Sequence, residues 1–147
     1  RGAASEIKEP FEKEAGRWWQ KDGRALIGIG DDGVRNVLGI PKSSPVKDAA
    51  RAADFLSVTK GNKVAISEVK GGTHINDSIK QLSNTMKAVD KLGLVGDVER
   101  VELIVKKGIV FDDENMVIHG GYLFNLATGK TVALEGFKNV FIMVIEL

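Results

Sequence analysis

The sequence ADFLSVTKGNKVAISEVKGG, residues 53–72, has the pattern of a β-hairpin. Two apolar stretches flank Gly61-Asn62, a dipeptide that tolerates the positive φ angles of a two-residue turn. Side chains alternate with period two along a strand, so Glu68 and Lys70 share the apolar face of the second strand. The sequence therefore predicts a hairpin whose second strand ends with an acid and a lysine on a face meant for burial.

These charged side chains need an explanation, because burying an unpaired charge costs several kcal/mol. Antiparallel pairing across the turn places Asp54, just before the first strand, opposite the same end of the hairpin. Two carboxylates at one point favour a divalent cation, since like charges at close range otherwise repel. A structural explanation is also open: the strand end is exposed to water, or Glu68 forms an ion pair with Lys70.

Helical and extended patterns surround the hairpin. Residues 5–20, SEIKEPFEKEAGRWWQ, place apolar side chains at helical intervals behind Ser5, and residues 73–93 do the same behind a Thr73 cap. Further strands are predicted at 24–30, 98–105, 108–111, 116–126, 131–135 and 139–146. This order predicts an α/β fold with a mixed central β-sheet flanked by helices.

Residues 28–33, GIGDDG, match the G-x-G-x-x-G pattern of a dinucleotide-binding turn. That function needs a helix whose N-terminus faces the pyrophosphate. Here Asp31 and Asp32 occupy the place of the phosphates, and Gly39 and Pro41 interrupt the segment that follows. We therefore interpret the motif as a tight turn after a strand, without nucleotide binding.

Composition limits the class of protein. The chain has 147 residues, of which 43% are hydrophobic and 28% charged, as in a globular domain. It has no cysteine, which excludes disulfides and thiolate metal sites, and no apolar run approaches a membrane span in length. Residues 60–91 carry six lysines against three acids, whereas residues 97–114 carry six acids against three basic residues. Such asymmetry can mark a nucleic-acid-binding face, although charge runs are more often solvated surface.

The combination of Asp54 with Glu68-x-Lys70 resembles the PD-(D/E)xK nuclease superfamily, which includes restriction endonucleases, repair nucleases and many bacterial toxin domains. The glycine pair after the lysine suits the family, whereas Ala53 stands where a proline often precedes the first acid. The resemblance covers about residues 5–105, from the leading helix through the hairpin to the strand after the second helix.

The same resemblance implies a domain organisation. Residues 1–147 would form a single nuclease domain with a restriction-endonuclease-like core, at about residues 5–105. The remaining residues, about 106–147, would add a C-terminal β extension of extra strands.

The chemistry implied by the resemblance is metal-assisted hydrolysis of phosphodiester bonds. Asp54, Glu68 and the backbone carbonyl of Val69 would bind Mg²⁺ or Mn²⁺, which prefer oxygen ligands. Lys70 would orient the attacking water or stabilise the charge that builds on the phosphate.

Further residues are expected around this centre. Many members of the superfamily place a glutamate of the leading helix near the metal, for which Glu14 is the preferred match and Glu9 and Glu12 are alternatives. His74, at the start of the second helix, is close enough in sequence to contact substrate, although an exposed position near the cap is the simpler interpretation. The polar face of that helix offers substrate-binding side chains or an ordinary solvated surface: Lys80, Gln81, Asn84 and Lys87.

The chain also resembles the C-terminal toxin domains of contact-dependent growth inhibition proteins, because it is small, lacks cysteine and begins with Arg1. This implies an endonuclease delivered as part of a larger secreted protein and acting in the target-cell cytoplasm on DNA or a structured RNA such as tRNA. A cognate immunity protein would bind either the basic or the acidic segment. The alternatives are a housekeeping nuclease of the restriction or repair type, and a non-catalytic interaction module with an incidental motif.

Overall fold

The computed structural model describes residues 10–41 and 52–147, which form three α-helices packed on a mixed β-sheet. The helices are α1 (Pro10–Lys21), α2 (Gly30–Leu38) and α3 (Asn76–Lys91). The strands are β1 (Ala25–Ile29), β2 (Phe55–Val58), β3 (Val64–Lys70), β4 (Val98–Val105), β5 (Met116–His119), β6 (Tyr122–Asn125), β7 (Lys130–Thr131), β8 (Ala133–Leu134) and β9 (Phe137–Glu146). The predicted α/β class is confirmed, and none of the described helices is long and apolar enough to cross a membrane.

The sheet combines antiparallel and parallel pairs. Its strand order is β1-β2-β3-β4-β9-β6-β5, with β7 paired to β6 and β8 to β9. β1, β2 and β3 are antiparallel neighbours, whereas the β3–β4 and β4–β9 pairs are parallel. Helix α3 lies in the crossover from β3 to β4, as a parallel pair requires. The last strand lies inside the sheet, between β4 and β6, so the C-terminal strands continue the sheet that the hairpin begins.

The predicted hairpin forms, with a longer loop than expected. The Thr59 N–H donates to the Lys63 carbonyl at 2.8 Å, so three residues rather than two make the turn. Asn62 takes the left-handed conformation at φ 59°, which asparagine tolerates better than most residues. Across the pair, Phe55 lies opposite Ser67.

Alternation along the strands gives the sheet two apolar faces with separate cores. Helix α1 covers one face, where its buried side chains contact those of the strands: Phe11, Ala15 and Trp19 with Phe55, Val69 and Ile104. Helices α2 and α3 cover the other face: Val34, Leu38, Leu82, Met86 and Val89 with Leu56, Ile66 and Leu103. The apolar stripe predicted for the second helix is confirmed.

A buried ion pair spans the face covered by α1. Arg24 donates two hydrogen bonds to Glu102, at 2.6 and 2.8 Å, and both side chains are fully buried. The Ser67 hydroxyl donates to the same carboxylate at 2.8 Å, and the Arg24 guanidinium lies 5.0 Å from the Trp18 ring centroid. Glu102, one of the six acids in segment 97–114, is therefore part of the protein interior and not of an acidic surface.

Helix α2 occupies the place where the sequence predicts a tight turn, and that prediction is wrong. Gly30 begins the helix at φ 73° and Gly39 ends it at φ 71°, conformations that glycine adopts without steric cost. Val34 and Leu38 are buried against the sheet, and this packing supports a helix too short to be stable alone. Gly28 permits the close approach, because a Cβ there would lie 3.2 Å from the Val34 Cα.

Other local predictions also differ from the structure. Residues 108–111 are not a strand, because Gly108 lies in a turn and residues 109–111 are irregular. The predicted strand at 116–126 is divided into two strands, β5 and β6. Thr73 does not cap α3; its hydroxyl donates instead to Asp112 Oδ1 at 2.6 Å. The predicted helix start at Ser5 lies outside the described residues.

Candidate active site

One end of the sheet opens into a polar cavity of about 510 Å³. Parts of α1, α2 and α3 line it, together with the chain entering β2 and the ends of β3 and β4. Its charged lining residues are five acids and two lysines: Glu12, Asp31, Asp54, Glu68, Asp77, Lys70 and Lys106. The cavity is therefore polar and rich in carboxylates.

The structure brings Asp54, Glu68 and Lys70 together in this cavity. The antiparallel register of β2 and β3 places Asp54 across from Glu68. Lys70 follows two residues along β3 and so projects on the same side of the strand as Glu68. The register of this one hairpin is therefore sufficient to place the three side chains in the same cavity.

Hydrogen bonds hold the two carboxylates in one arrangement. The Asp54 N–H donates to Glu68 Oε1 at 3.0 Å, and the Val69 N–H donates to Asp54 Oδ2 at 3.0 Å. The Ser78 hydroxyl, from the first turn of α3, also bonds to Glu68. Each carboxylate thus contacts the backbone of the opposite strand, which fixes their separation.

Burial raises the pKa of Glu68 well above its ordinary value of 4.5. The neighbouring charge of Asp54 and the bond between the two side chains raise that pKa further, and the bonds from the Asp54 N–H and Ser78 oppose these effects. The glutamate is only 5% exposed. Ionised Glu68 therefore destabilises the folded protein, and a cation bound beside the carboxylate would favour the ionised form.

The donor set fits a hard divalent cation. Mg²⁺ is commonly held by one or two carboxylates and completes its shell with water and substrate oxygens. No group of three or more His, Asp or Glu residues in metal-binding arrangement occurs within residues 10–41 and 52–147. Asp54 and Glu68 are then the side chains that would hold the ion, and Val69, whose carbonyl is a predicted ligand, also lines the cavity.

The leading helix contributes Glu12 rather than the preferred Glu14. Glu12 is 5% exposed and lines the cavity, because it lies beside the α1 stripe that begins at Phe11 and faces the sheet. Glu14 is exposed and outside the lining. The remaining alternative, Glu9, lies outside the described residues.

Four of the five predicted substrate-binding side chains lie outside the cavity lining: His74, Lys80, Asn84 and Lys87. Gln81 does line the cavity, from the turn of α3 that follows Ser78. His74 is exposed, and its Nδ1 lies 3.5 Å from Asp112 Oδ2. The lysines of α3 therefore face solvent rather than the carboxylate pair.

Several lining residues escaped the sequence analysis. Asp31 belongs to the GIGDDG motif, which was interpreted as a turn, and Asp77 and Ser78 lie in the first turn of α3. Lys106 lies in the acidic segment but directly follows β4, which runs parallel to β3. The carboxyl ends of parallel strands meet at one edge of a sheet. The position of Lys106, directly after a strand parallel to β3, could therefore have indicated that it lies near Lys70.

Comparison with protein-family models, with curated proteins and with solved structures found no match to this chain.

Proposed function

We propose that this chain is a metal-dependent endonuclease that hydrolyses phosphodiester bonds in DNA or structured RNA. The observation that carries the proposal is the buried Glu68, whose pKa is raised, beside the half-buried Asp54 and Lys70 in one polar cavity. The order α1, β1, β2, β3, α3, β4 also agrees with the resemblance to the PD-(D/E)xK superfamily, with α2 inserted after β1.

Each residue has a defined part in this proposal. Asp54 and Glu68 would hold Mg²⁺ or Mn²⁺, which when bound polarises the phosphate and lowers the pKa of a water. Lys70 donates hydrogen bonds to the phosphate or orients the water, since its ammonium carries three donors and no acceptor. Ser78 keeps Glu68 oriented, and Glu12 adds a third carboxylate to the lining.

A purely structural module explains the same arrangement less well. A buried acid beside a second acid reduces stability unless a cation or proton compensates for it. Both acids also line the cavity, so a ligand bound there would lie beside them. Residues that cost stability and line a cavity are typical of functional sites.

The test is a digestion of plasmid DNA and of total tRNA by the purified protein, with Mg²⁺ or with EDTA. We expect cleavage of one substrate class that requires the metal and is lost in Asp54→Ala and in Lys70→Ala. Lys91→Ala, which changes an exposed lysine at the end of α3 outside the cavity, is the matched control and should cleave normally. Intact nucleic acid under every metal condition would instead support a non-catalytic interaction module.

We further propose that the nuclease acts as an interbacterial toxin with a cognate immunity protein. A chain without cysteine folds in the same way in oxidising and reducing compartments, which suits delivery from one cell into the cytoplasm of another. Expression in a host cell should be lethal, and co-expression of the product of the adjacent gene should relieve the lethality. Harmless expression of an enzyme that is active in vitro would favour a housekeeping nuclease.

A further inference from the structure

A second lysine reaches the proposed site from the end of β4. Lys106 directly follows β4 and lines the cavity together with Lys70. In the parallel β3–β4 pair, Lys70 lies beside Val105, so the two lysines leave the same edge of the sheet one register position apart. They are the two basic side chains that line the cavity within the described part of the chain.

The surroundings of Lys106 direct its ammonium toward the cavity. Its Nζ lies 5.9 Å from the ring centroid of Phe11, a cavity-lining side chain that is only 8% exposed. A cation over an aromatic face at this range is attracted by the negative face of the ring. The ring thus favours a position at the wall of the cavity over the many others open to an exposed lysine.

The backbone between the two lysines carries no side chains. A Cβ on Gly71 would lie 3.8 Å from the Cε of Lys106, and a Cβ on Gly72 would lie 3.9 Å from the Cε of Lys70. The glycine pair therefore leaves open the space directly beside both side chains. Both side chains line the same cavity, so a ligand bound there can contact both ammonium groups.

The charge balance of the cavity makes these two cations important. Five carboxylates line it, and the lysines of α3 lie outside the lining. A nucleic acid strand brings one negative charge per nucleotide, and its affinity depends on the lysines that neutralise its phosphates. Lys70 stands beside Glu68, where the scissile phosphate would bind, which leaves Lys106 for the neighbouring phosphate.

We infer that Lys106 binds the phosphate adjacent to the scissile one and thereby fixes which phosphodiester enters the site. The inference rests on the proposed nuclease function and narrows the substrate to a strand with at least two consecutive phosphates. A phosphodiester without a charged neighbour would bind without the contribution of Lys106.

Binding can be measured separately from cleavage. The protein carries Asp54→Asn to block turnover, and a fluorescent oligonucleotide of the class that the wild type cleaves is titrated by anisotropy at several salt concentrations. Lys106→Gln should weaken binding on the order of three- to tenfold and reduce the slope of log affinity against log salt by about one. Lys106→Arg should restore most of the affinity because it keeps the charge.

Lys107→Gln is the matched control. Lys107 is the next residue, is exposed and lies outside the cavity lining, and its substitution removes the same charge from the chain. It should leave affinity and salt slope close to those of the parent protein. In the cleaving protein, Lys106→Gln should raise KM with little change in kcat, because the contact is made before and during the reaction.

A substrate series locates the phosphate. Replacing one phosphate at a time by an uncharged methylphosphonate should weaken binding at the position next to the cleaved bond. That effect should largely disappear in Lys106→Gln, because the partner is already gone. The inference is overturned if the wild type cleaves and Lys106→Gln matches Lys107→Gln in affinity, salt slope and methylphosphonate profile. If the wild type neither binds nor cleaves DNA or RNA, the proposed function fails, and this inference with it.

Discussion

At the scale of single residues, the proposed chemistry depends on the carboxylates of Glu68 and Asp54. Their positions follow from two local regularities, the period of two along a strand and the register of one hairpin. Both are visible in the sequence, which is why Asp54, Glu68 and Lys70 could be predicted. Lys106 was not predicted, and Glu12 was predicted only as an alternative to Glu14, because the positions of both depend on how distant elements pack.

The first prediction concerns the pH dependence of stability in the metal-free protein. Since the pKa of Glu68 is raised above its unfolded value of 4.5, its contribution to stability is present below that pH and is lost as pH rises through the folded-state pKa. The melting temperature of the wild type should therefore fall more steeply than that of Glu68→Gln as the pH rises above 4.5. Differential scanning calorimetry in EDTA measures both curves.

Glu14→Gln is the control for this comparison, because it removes an exposed carboxylate of α1 outside the cavity. Its melting curve should follow the wild type at each pH. Parallel curves for the wild type and Glu68→Gln over the whole range would show that Glu68 is not desolvated as described.

At the scale of elements, α3 positions the start of β2. The Thr85 hydroxyl accepts from the Ala53 N–H at 2.8 Å and donates to the Gln81 carbonyl at 2.7 Å, and Thr85 is fully buried. Ala53 directly precedes Asp54, so this bond ties the predicted metal ligand to the helix. Thr85 itself is outside the cavity lining, and it supports the site by holding the backbone next to Asp54.

Thr85→Val should destabilise the protein by about 1–3 kcal/mol, because it leaves the buried Ala53 N–H without its acceptor. Urea unfolding followed by circular dichroism measures the change, and nuclease activity should fall with it as Asp54 loses its support. Thr85→Ser keeps the hydroxyl and should retain the bond and the activity. Equal stability of the valine and serine variants would show that the bond between Thr85 and the Ala53 N–H does not stabilise the protein.

The elements also show where local sequence patterns are insufficient. The hairpin and α3 have clear periodicity and formed nearly as predicted, whereas α2 contains glycines and two adjacent acids that favour a turn. That helix forms because Val34 and Leu38 pack against the sheet, which outweighs the weak intrinsic preference of nine residues. The same helix carries Asp31 to the cavity, so the error in the local prediction also concealed a site residue.

At the scale of the whole molecule, β9 joins the C-terminal strands to the part of the sheet that carries the site. Its Ile142 is fully buried in the core shared with α2, α3 and β4. Because β9 lies between β4 and β6, the half of the sheet around the hairpin should not unfold separately from the C-terminal half.

Ile142→Ala should therefore lower the free energy of unfolding by about 2–5 kcal/mol. The shift should be equal by circular dichroism and by tryptophan fluorescence, whose probes lie in α1 on the opposite face. Phe141→Ala, at a neighbouring position that is 41% exposed, is the control and should cost much less. A tryptophan transition that does not move in Ile142→Ala would mean that the two halves unfold independently.

The central claim is that Asp54 and Glu68 together hold a divalent cation, and Mn²⁺ binding followed by electron paramagnetic resonance tests it most directly. The wild type should bind Mn²⁺, and Asp54→Asn and Glu68→Gln should each weaken binding on the order of tenfold or more. Asp90→Asn, which removes an exposed acid of α3 outside the cavity, should bind like the wild type. Equal Mn²⁺ affinity in all four proteins, or no binding by the wild type, would contradict the account.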